Sequence, residues 1–560
     1  MGRRSLRRSV DQRLGGNAPW RPAYRRLVVG FEEISPPLVL VLAVVLGLGI
    51  RLYYVLSSDF PLNDGGLFYA MARDIQHAQY SLPSYTSYNT ESIPFAYPPL
   101  FVYVLALLDD ITPLSPFDIL RFLPLILSVA TILAFYVLAK AMLPWRAGVA
   151  ASVIVFATIQ NGFEWHIMGG GVTRAPALLF SLVAIYHAYQ LYKIGGRTHL
   201  AAAAVFAGLA VLTHPDLFVA VGIGLLFLVY GRSRRGVRDT ILIAIGVAAM
   251  TAPWWGSVIA RHGADVLLAT GESRTQQGWT DSILPWRDFL TLPFTKQPLL
   301  NWPGVVAVLG AGAAIATGQF FLPLWLVAEV LAEPHQAPNF IHVPVALLIG
   351  FAVGGVIAPA WRGFSAEPPR DAGTSGAETA TPPRAPREHR SHLWLGASLL
   401  VGYALTVGLF SAFNEPGQLD HMRGLDRDRR ELFGWIDTNT PPGSPFLIVS
   451  GLPWWGDRIS EWFPALTRGH SLFTAQGSEW LGDAFTQRIA GHDALQGCGQ
   501  KAVECLDQVA RAHDVRFRYV YVDSACCASL ADSLRHSAGY QVIYESRAGI
   551  LASHPVDEGQ

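Results

Sequence analysis

The sequence predicts a polytopic α-helical membrane protein of about 11 spans that ends in a soluble α/β domain. Three observations predict it. Hydrophobic residues make up 51% of the 560, and the mean hydropathy is +0.31. Only 15% of residues are charged, against roughly 25% in soluble domains. Apolar runs near the roughly 20 residues that cross a bilayer recur along the first three quarters of the chain and then stop. The net charge is zero, which gives no support to a nucleic-acid partner.

The N-terminus, MGRRSLRRSVDQRLGGNAPWRPAYRR, carries eight arginines before the first apolar run. A secretory signal has a shorter basic region and a small-residue cleavage site, so residues 1–35 read as a cytoplasmic tail ahead of an uncleaved span. A polybasic tail also suits an anionic lipid surface. Spans follow at 36–56, 119–142, 147–162, 173–192, 199–213, 217–231, 239–256, 302–317, 319–332, 342–360 and 392–411. The connectors holding Lys140 and Arg146, Lys193 and Arg197, Arg232 to Arg238, and Arg362 to Arg390 all fall on the side of the basic tail. That asymmetry places the N-terminus in the cytoplasm of a plasma or inner membrane.

This parity requires PPLFVYVLALLDD, Pro98–Asp110, to lie flat at the outer interface, because its apolar run is too short to span. Residues 57–118 then form one large first external loop with two interfacial helices, near 66–80 and 98–110. The transmembrane part covers 36–361. Residues 362–391 are rich in Pro, Ala, Gly and charge and read as a cytoplasmic disordered linker. One more span, 392–411, leads to the extracytoplasmic domain, 412–560. There FLIVSG, RFRYVYVD and YQVIYES read as strands, and no phosphate-cradling glycine loop follows any of them. All four cysteines, Cys498, Cys505, Cys526 and Cys527, lie in this domain, which favours disulfides over metal. Spacing leaves their pairing open, and a four-thiolate zinc site is the minor alternative.

The stretch DFPLNDGGLFYAMARDI, Asp59–Ile75, places an acid at the mouth of the first span. Gly65 and Gly66 after Asp64 permit a tight turn and the close approach of a ligand. Two readings of Asp64 stand side by side: it caps the following helix, or it serves chemistry. This stretch, followed by FAYPPLFVYVLALL, resembles the start of the C-type membrane glycosyltransferases, the GT-C superfamily, which includes protein O-mannosyltransferases and aminoarabinose transferases. Asp64 matches their acid in the first external loop, and Pro98-Pro99-Leu100 matches the start of their second juxtamembrane helix. Asp64 is followed by Gly where several relatives carry Glu.

The resemblance implies transfer of a sugar from a polyprenyl-phosphate carrier to a glycan, lipid or protein acceptor at the outer face of the bilayer, with inversion. Asp64 would be the general base. The leaving phosphate then needs a cation or aimed donors. The second external loop, QNGFEWHIMGGGVTRAP, offers them: Gly170 beside a helix N-terminus for an anion, and Arg174 for a bidentate phosphate contact. Tyr97, within FAYPPL, joins the substrate-binding residues. Glu164 and His166 are similar to the acid-x-His metal motif of oligosaccharyltransferases. With His214 of THPD and Asp64 they form an oxygen–nitrogen ligand set for a divalent cation, Mg²⁺ or Mn²⁺. Asp216 suits either a sugar hydroxyl or a helix N-terminus. Glu461, near Trp462 and Phe463, reads either as a sugar contact or as a domain-docking residue. The competing functions are a transporter or flippase, which expects internal repeats, and a non-catalytic scaffold of the same fold.

Overall fold

A computed structural model describes residues 36–269, 302–333, 337–360 and 420–554. The basic tail, the linker, most of the loop after Arg261 and the span expected at 392–411 lie outside the described residues. In chain order the main elements are α1 (Pro36–Leu56), α2 (Gly66–His77), β1 (Tyr85–Thr86), β2 (Ile93–Pro94), α3 (Leu100–Ile111), α4 (Pro116–Met142), α5 (Arg146–Thr158) and α6 (Glu164–Ile167). Then come α7 (Gly171–Ile194), α8 (Arg197–Val211), α9 (Phe218–Tyr230), α10 (Arg234–His262), α11 (Trp302–Ala316), α12 (Phe321–Ala332), α13 (Ala337–Phe340) and α14 (His342–Ala352). The C-terminal domain holds α15 (Arg427–Asn439), β3 (Pro445–Val449), α16 (Arg458–Leu466), β4 (His470–Ser471), α17 (Ala484–Gln496), α18 (Glu504–Ala512), β5 (Tyr519–Asp523), α19 (Ala528–His536), β6 (Gln541–Ser546) and β7 (Gly549–Ser553).

Each expected span inside the described residues coincides with a helix. Five are long and apolar enough to cross a bilayer: α1, α4, α7, α10 and α14, the last continuing to Ala360. Five more apolar helices, α5, α8, α9, α11 and α12, are shorter. The chain is an integral membrane protein. Some boundaries move for local reasons. The segment expected as 147–162 stops as a helix at Thr158 because Ile159 turns extended (ψ 124°). In contrast, α10 outruns the expected 239–256 at both ends. Ser233 accepts the Gly236 N–H at 3.0 Å, and the far end stops only at Gly263, with φ +84°. Ser115 likewise opens α4 by accepting the Asp118 N–H, with Pro116 at the first helical position.

Small residues set the helix packing. A Cβ at Gly148 would stand 2.5 Å from the Gly350 carbonyl oxygen, and one at Gly350 would stand 2.5 Å from that of Gly148. In α11, a Cβ at Gly310 would stand 2.0 Å from the Leu348 oxygen. In lipid no hydrophobic force gathers helices, so such backbone approach supplies the contact. Arg51, within the first apolar run, is wholly buried. It is held inside by Ser128 Oγ (2.9 Å), the Ala157 carbonyl (2.7 Å) and the Gly47 carbonyl (3.0 Å).

Both loop helices form, α2 and α3, close to their expected limits. The three expected strands form too, as β3, β5 and β6. Two further strands complete a sheet of order β4-β3-β5-β7-β6. β4, β3 and β5 run parallel, while β7 and β6 are antiparallel additions. β4 contributes only two paired residues, too few for an alternation to register. The cysteines pair within neighbours: Cys498 with Cys505, and Cys526 with the adjacent Cys527. No thiol in the described residues is left for zinc.

The C-terminal domain shares one core with the segment between α1 and α4. Phe60, Leu67, Met71, Ile75 and Tyr88 pack in a cluster with Phe446, Ile459, Trp462 and Phe463. Polar seams reinforce it. Asn89 accepts the Ser471 N–H (2.7 Å) and donates to the Ser471 carbonyl (2.9 Å). Glu91 receives both Arg488 and His470. Burial raises the Glu91 pKa, but the hydrogen bond from His470 and the Arg488 guanidinium outweigh it and hold the carboxyl below its ordinary range.

The helix facing this seam, α16, starts at a buried pair. Asp457 accepts the Ile459 and Ser460 N–H groups, and its other oxygen meets His492 Nε2 at 2.9 Å. Burial disfavours both charges, yet mutual attraction wins: Asp457 lies below its ordinary value and His492 above 6.5. A raised histidine contributes stability that is full below its unfolded pKa and lost as pH rises through the folded one. A depressed aspartate contributes stability lost as pH falls through its folded pKa. The thermal midpoint of the C-terminal domain is therefore expected to fall as pH is raised from about 6.5 through the elevated His492 value. His492→Gln should flatten that slope in a differential scanning series from pH 6 to 9, and an unchanged slope counts against the pair.

Candidate functional site

The segment Leu62–Gly65 has no regular structure of its own. Its shape comes from neighbours. The Leu62 carbonyl accepts the Gly169 N–H at 2.9 Å, and Leu62 bridges Gly424. The Asn63 N–H donates to the Arg423 carbonyl (2.9 Å), and the Asn63 carbonyl accepts Trp462 Nε1–H (2.9 Å). Asn63 adopts φ +50° and Gly65 φ +124°, a sharp turn that suits Asn and Gly. Across from it, a Cβ at Gly169 would lie 1.8 Å from the Asp64 carbonyl oxygen. Only glycine fits there.

Asp64 does not cap α2. The N-cap position is Gly65, without a side-chain bond. Glu461 of α16 takes the capping role instead: its Oε1 accepts the Gly65 N–H (2.9 Å) and the Gly66 N–H (3.1 Å). Of the two readings of Glu461, the docking one is what forms. Asp64 is thereby left facing the second loop. Its Oδ1 accepts the Gly170 N–H (2.7 Å), and its Oδ2 meets Arg174 Nη2 at 2.5 Å. Arg174 is fixed in turn by the Trp165 carbonyl (2.9 Å) and lies over the Trp165 ring. Both side chains of the ion pair keep about one seventh of their surface, 16% for Asp64 and 14% for Arg174. Burial, and then the Asp64 charge, push the Glu461 carboxyl well above its ordinary value, against the pull of the backbone N–H groups and Arg174.

A second line of hydrogen bonds joins this pair to the THPD connector. Tyr97 Oη stands 2.5 Å from His214 Nδ1 and 3.0 Å from Thr173 Oγ1. Thr173 donates to the Gly170 carbonyl (3.1 Å), on the residue whose N–H holds Asp64. Tyr97 packs edge-on to Phe68 and Trp480. Asp64, Gly170, Arg174, Tyr97 and His214 are thus brought together. Asp216 accepts the Phe218 N–H (3.0 Å) and so performs the capping role at α9, where Glu333 also accepts the Leu217 N–H (2.7 Å).

The ligand set expected for a divalent cation is not gathered. Among the described residues no group of three or more His, Cys, Asp or Glu side chains could hold a metal. Glu164 meets Gln160 Nε2 (3.2 Å) and His421 Nε2 (3.3 Å). His166 is wholly buried beside Phe340 and His342, with neither ring nitrogen hydrogen-bonded. Burial, followed by His342 and Arg174, drives its pKa far below 6.5, so the ring is neutral. Glu164 and His166 share α6 but meet different neighbours, and with Asp64 and His214 they do not fit one ion as placed. The sequence does not mark Asn63 and His421 as parts of the site's frame, whereas Trp462 takes the docking role that is one of the readings of its segment. Their partners lie far away along the chain.

No family model and no curated protein sequence matches the chain. Solved structures do. The chain is similar to ArnT from Cupriavidus metallidurans in its apo state, at TM-score 0.53 and 14% identity, over 92% of this chain and 97% of that one. It is similar to the same protein bound to undecaprenyl phosphate, at TM-score 0.51 and 13% identity, over 92% and 98%. The Archaeoglobus fulgidus oligosaccharyltransferase aligns over 88% of this chain and 70% of that one, at TM-score 0.47 and 14% identity. The chain therefore shares the fold of the ArnT structures.

Glu461→Ala is expected to uncap α2, release the Asp64 turn and lower any Asp64-dependent activity by more than tenfold, with a lower thermal midpoint. Glu461→Gln keeps an acceptor oxygen and should retain most of both. Equal loss in the two variants would remove the capping role.

Proposed function

We propose that the chain transfers a sugar from a polyprenyl-phosphate carrier to a hydroxyl acceptor at the extracytoplasmic membrane surface, with inversion at the anomeric carbon. The observation that carries this is a carboxylate and a guanidinium, Asp64 and Arg174, held 2.5 Å apart beside the N-terminus of a membrane helix. The likeness to an ArnT that binds undecaprenyl phosphate supports a lipid-phosphate donor.

The chemistry follows from the parts. The acceptor oxygen attacks C1 of the sugar from the face opposite the phosphate. As the new C–O bond forms, the C1–O(phosphate) bond breaks and its electron pair moves onto the phosphate. Asp64 takes the acceptor proton. Arg174 offers further guanidinium N–H groups, and the start of α7 offers a positive dipole end, to the leaving phosphate. Tyr97 and His214, tied to the same turn through Thr173, orient the sugar or the phosphate. Glu461 occupies the α2 N-terminus, so Asp64 remains available as a base.

Detergent-solubilised protein incubated with radiolabelled polyprenyl-phosphate sugars and envelope glycolipid or glycan acceptors should move the label from the carrier. Asp64→Asn should lower the rate by about 10²–10⁴-fold with little change in carrier binding. Arg174→Ala should weaken carrier binding, and Arg174→Lys should restore only part of it, because a point charge does not reproduce the guanidinium fork. Unchanged turnover in Asp64→Asn sinks the assignment of the base.

A further inference from the structure

We infer that a cavity of about 1140 Å³ between the end of α1 and the carboxyl ends of β3 and β5 is a binding site for a neutral, hydroxyl-rich glycan. As the acceptor subsite of the transfer proposed above, the assignment rests on that reading; as a glycan site, it stands on the following geometry.

The position is the first argument. β3 lies between β4 and β5, and the chain leaves β3 toward one side and β5 toward the other. The crevice outside the carboxyl ends of such strands is where open α/β sheets place ligands. Ser450 and Gly451 after β3, and Asp523 and Cys526 at the end of β5, form that wall of the cavity. The volume exceeds the roughly 300–1,000 Å³ of small-molecule pockets, which suits more than one sugar ring.

Charge is the second argument. Four carboxylates, Asp59, Asp420, Asp426 and Asp523, line the cavity against three guanidiniums, Arg423, Arg429 and Arg458. Arg429 is committed to Asp523 at 2.6 and 2.7 Å, and Arg458 to Asp420 at 3.2 Å. Asp59 is likewise paired, with Arg430 at 2.5 Å, so a phosphate would have to displace a carboxylate from its guanidinium. Hydroxyl groups need not, because each can donate to a carboxylate and accept from a guanidinium already in place. A neutral polyol is therefore favoured here over a phosphate. Tyr53, half exposed (51%), and the Cys526–Cys527 disulfide add apolar surface for the C–H faces of a sugar ring.

The third argument is the wall itself. Arg423 and Gly424 line the cavity and bind the backbone of Asn63 and Leu62, the residues leading into Asp64. One backbone segment separates the two sites. A glycan of several units seated in the cavity can extend its end past that segment toward the base, and a monosaccharide cannot reach both.

The test uses the full-length protein in nanodiscs and a panel of neutral hexose and pentose oligosaccharides of two to six units, read by saturation-transfer NMR. Binding of at least one panel member is expected, lowered tenfold or more by Ala525→Trp, which fills the cavity, and by Arg423→Ala, a mostly exposed side chain whose removal spares the fold. Asp64→Asn should bind the same glycan normally. No binding by any panel member, binding that both cavity variants leave intact, or binding lost in Asp64→Asn overturns the inference. Preferred binding of inorganic phosphate or of an anionic oligosaccharide overturns it as well. Labelled carrier binding is measured in parallel. If sugar transfer fails in the wild type while cavity-dependent glycan binding persists, the transfer reading falls and the glycan site stands.

Discussion

The whole arrangement hangs on the clamping of five residues, Leu62 to Gly66. They carry no periodic pattern and could not hold their shape alone. The Gly169 N–H, the Arg423 carbonyl, the indole of Trp462 and the carboxylate of Glu461 each take one or two of their backbone groups. Buried backbone polar groups must find partners, so this set of bonds is an obligation met from three remote parts of the chain. The candidate base stands at the centre of it. Its direction is set by everything around it and by little in its own neighbourhood.

Two carboxylates divide the work there. A helix N-terminus attracts negative charge, and Asp64 stands where it could have supplied it. Glu461, 3% exposed and with its carboxyl pushed above the ordinary range, supplies an acceptor oxygen instead. The membrane part alone would leave α2 uncapped and Asp64 drawn to its amides. For this reason the C-terminal domain is part of the site's construction. A shared core with Trp462 and Phe463 at its centre says the same thing energetically, since burying each such side chain contributes about 1.5–3 kcal/mol.

The polar surface of the molecule then sorts by sign. Near α7 the Arg174 guanidinium and the Gly170 N–H face Asp64, a setting for an anion. Across the Leu62–Asn63 segment, arginines paired with aspartates line the cavity, a setting for hydroxyls. Between the helices below, His166 and Arg51 are buried, and Arg51 spends its donors on carbonyls and a serine. The histidine, neutral and without a hydrogen-bond partner on its ring, belongs to the packing of α6 against α13 and α14.

The sequence by itself determined the helices of the membrane part, both loop helices and the change to an α/β domain, and it marked Asp64, Gly170, Arg174, Tyr97 and His214 as candidates. Each of these is written locally: in the length of an apolar run, in a capping serine, in a glycine triplet before a helix, or in a short motif with a family likeness. Only the tertiary structure decided what those groups touch. Whether Asp64 caps or catalyses depends on Glu461, almost four hundred residues away. Whether Glu164, His166 and His214 share an ion depends on how α6 and the THPD connector are placed, and the described residues gather no such ligand group. The cysteine pairing, the strands β4 and β7 and the cavity beyond β3 and β5 likewise follow from chain crossings. Local pattern records what a residue can do; the partner that makes it do so is chosen by long-range packing, which spacing along the chain does not encode.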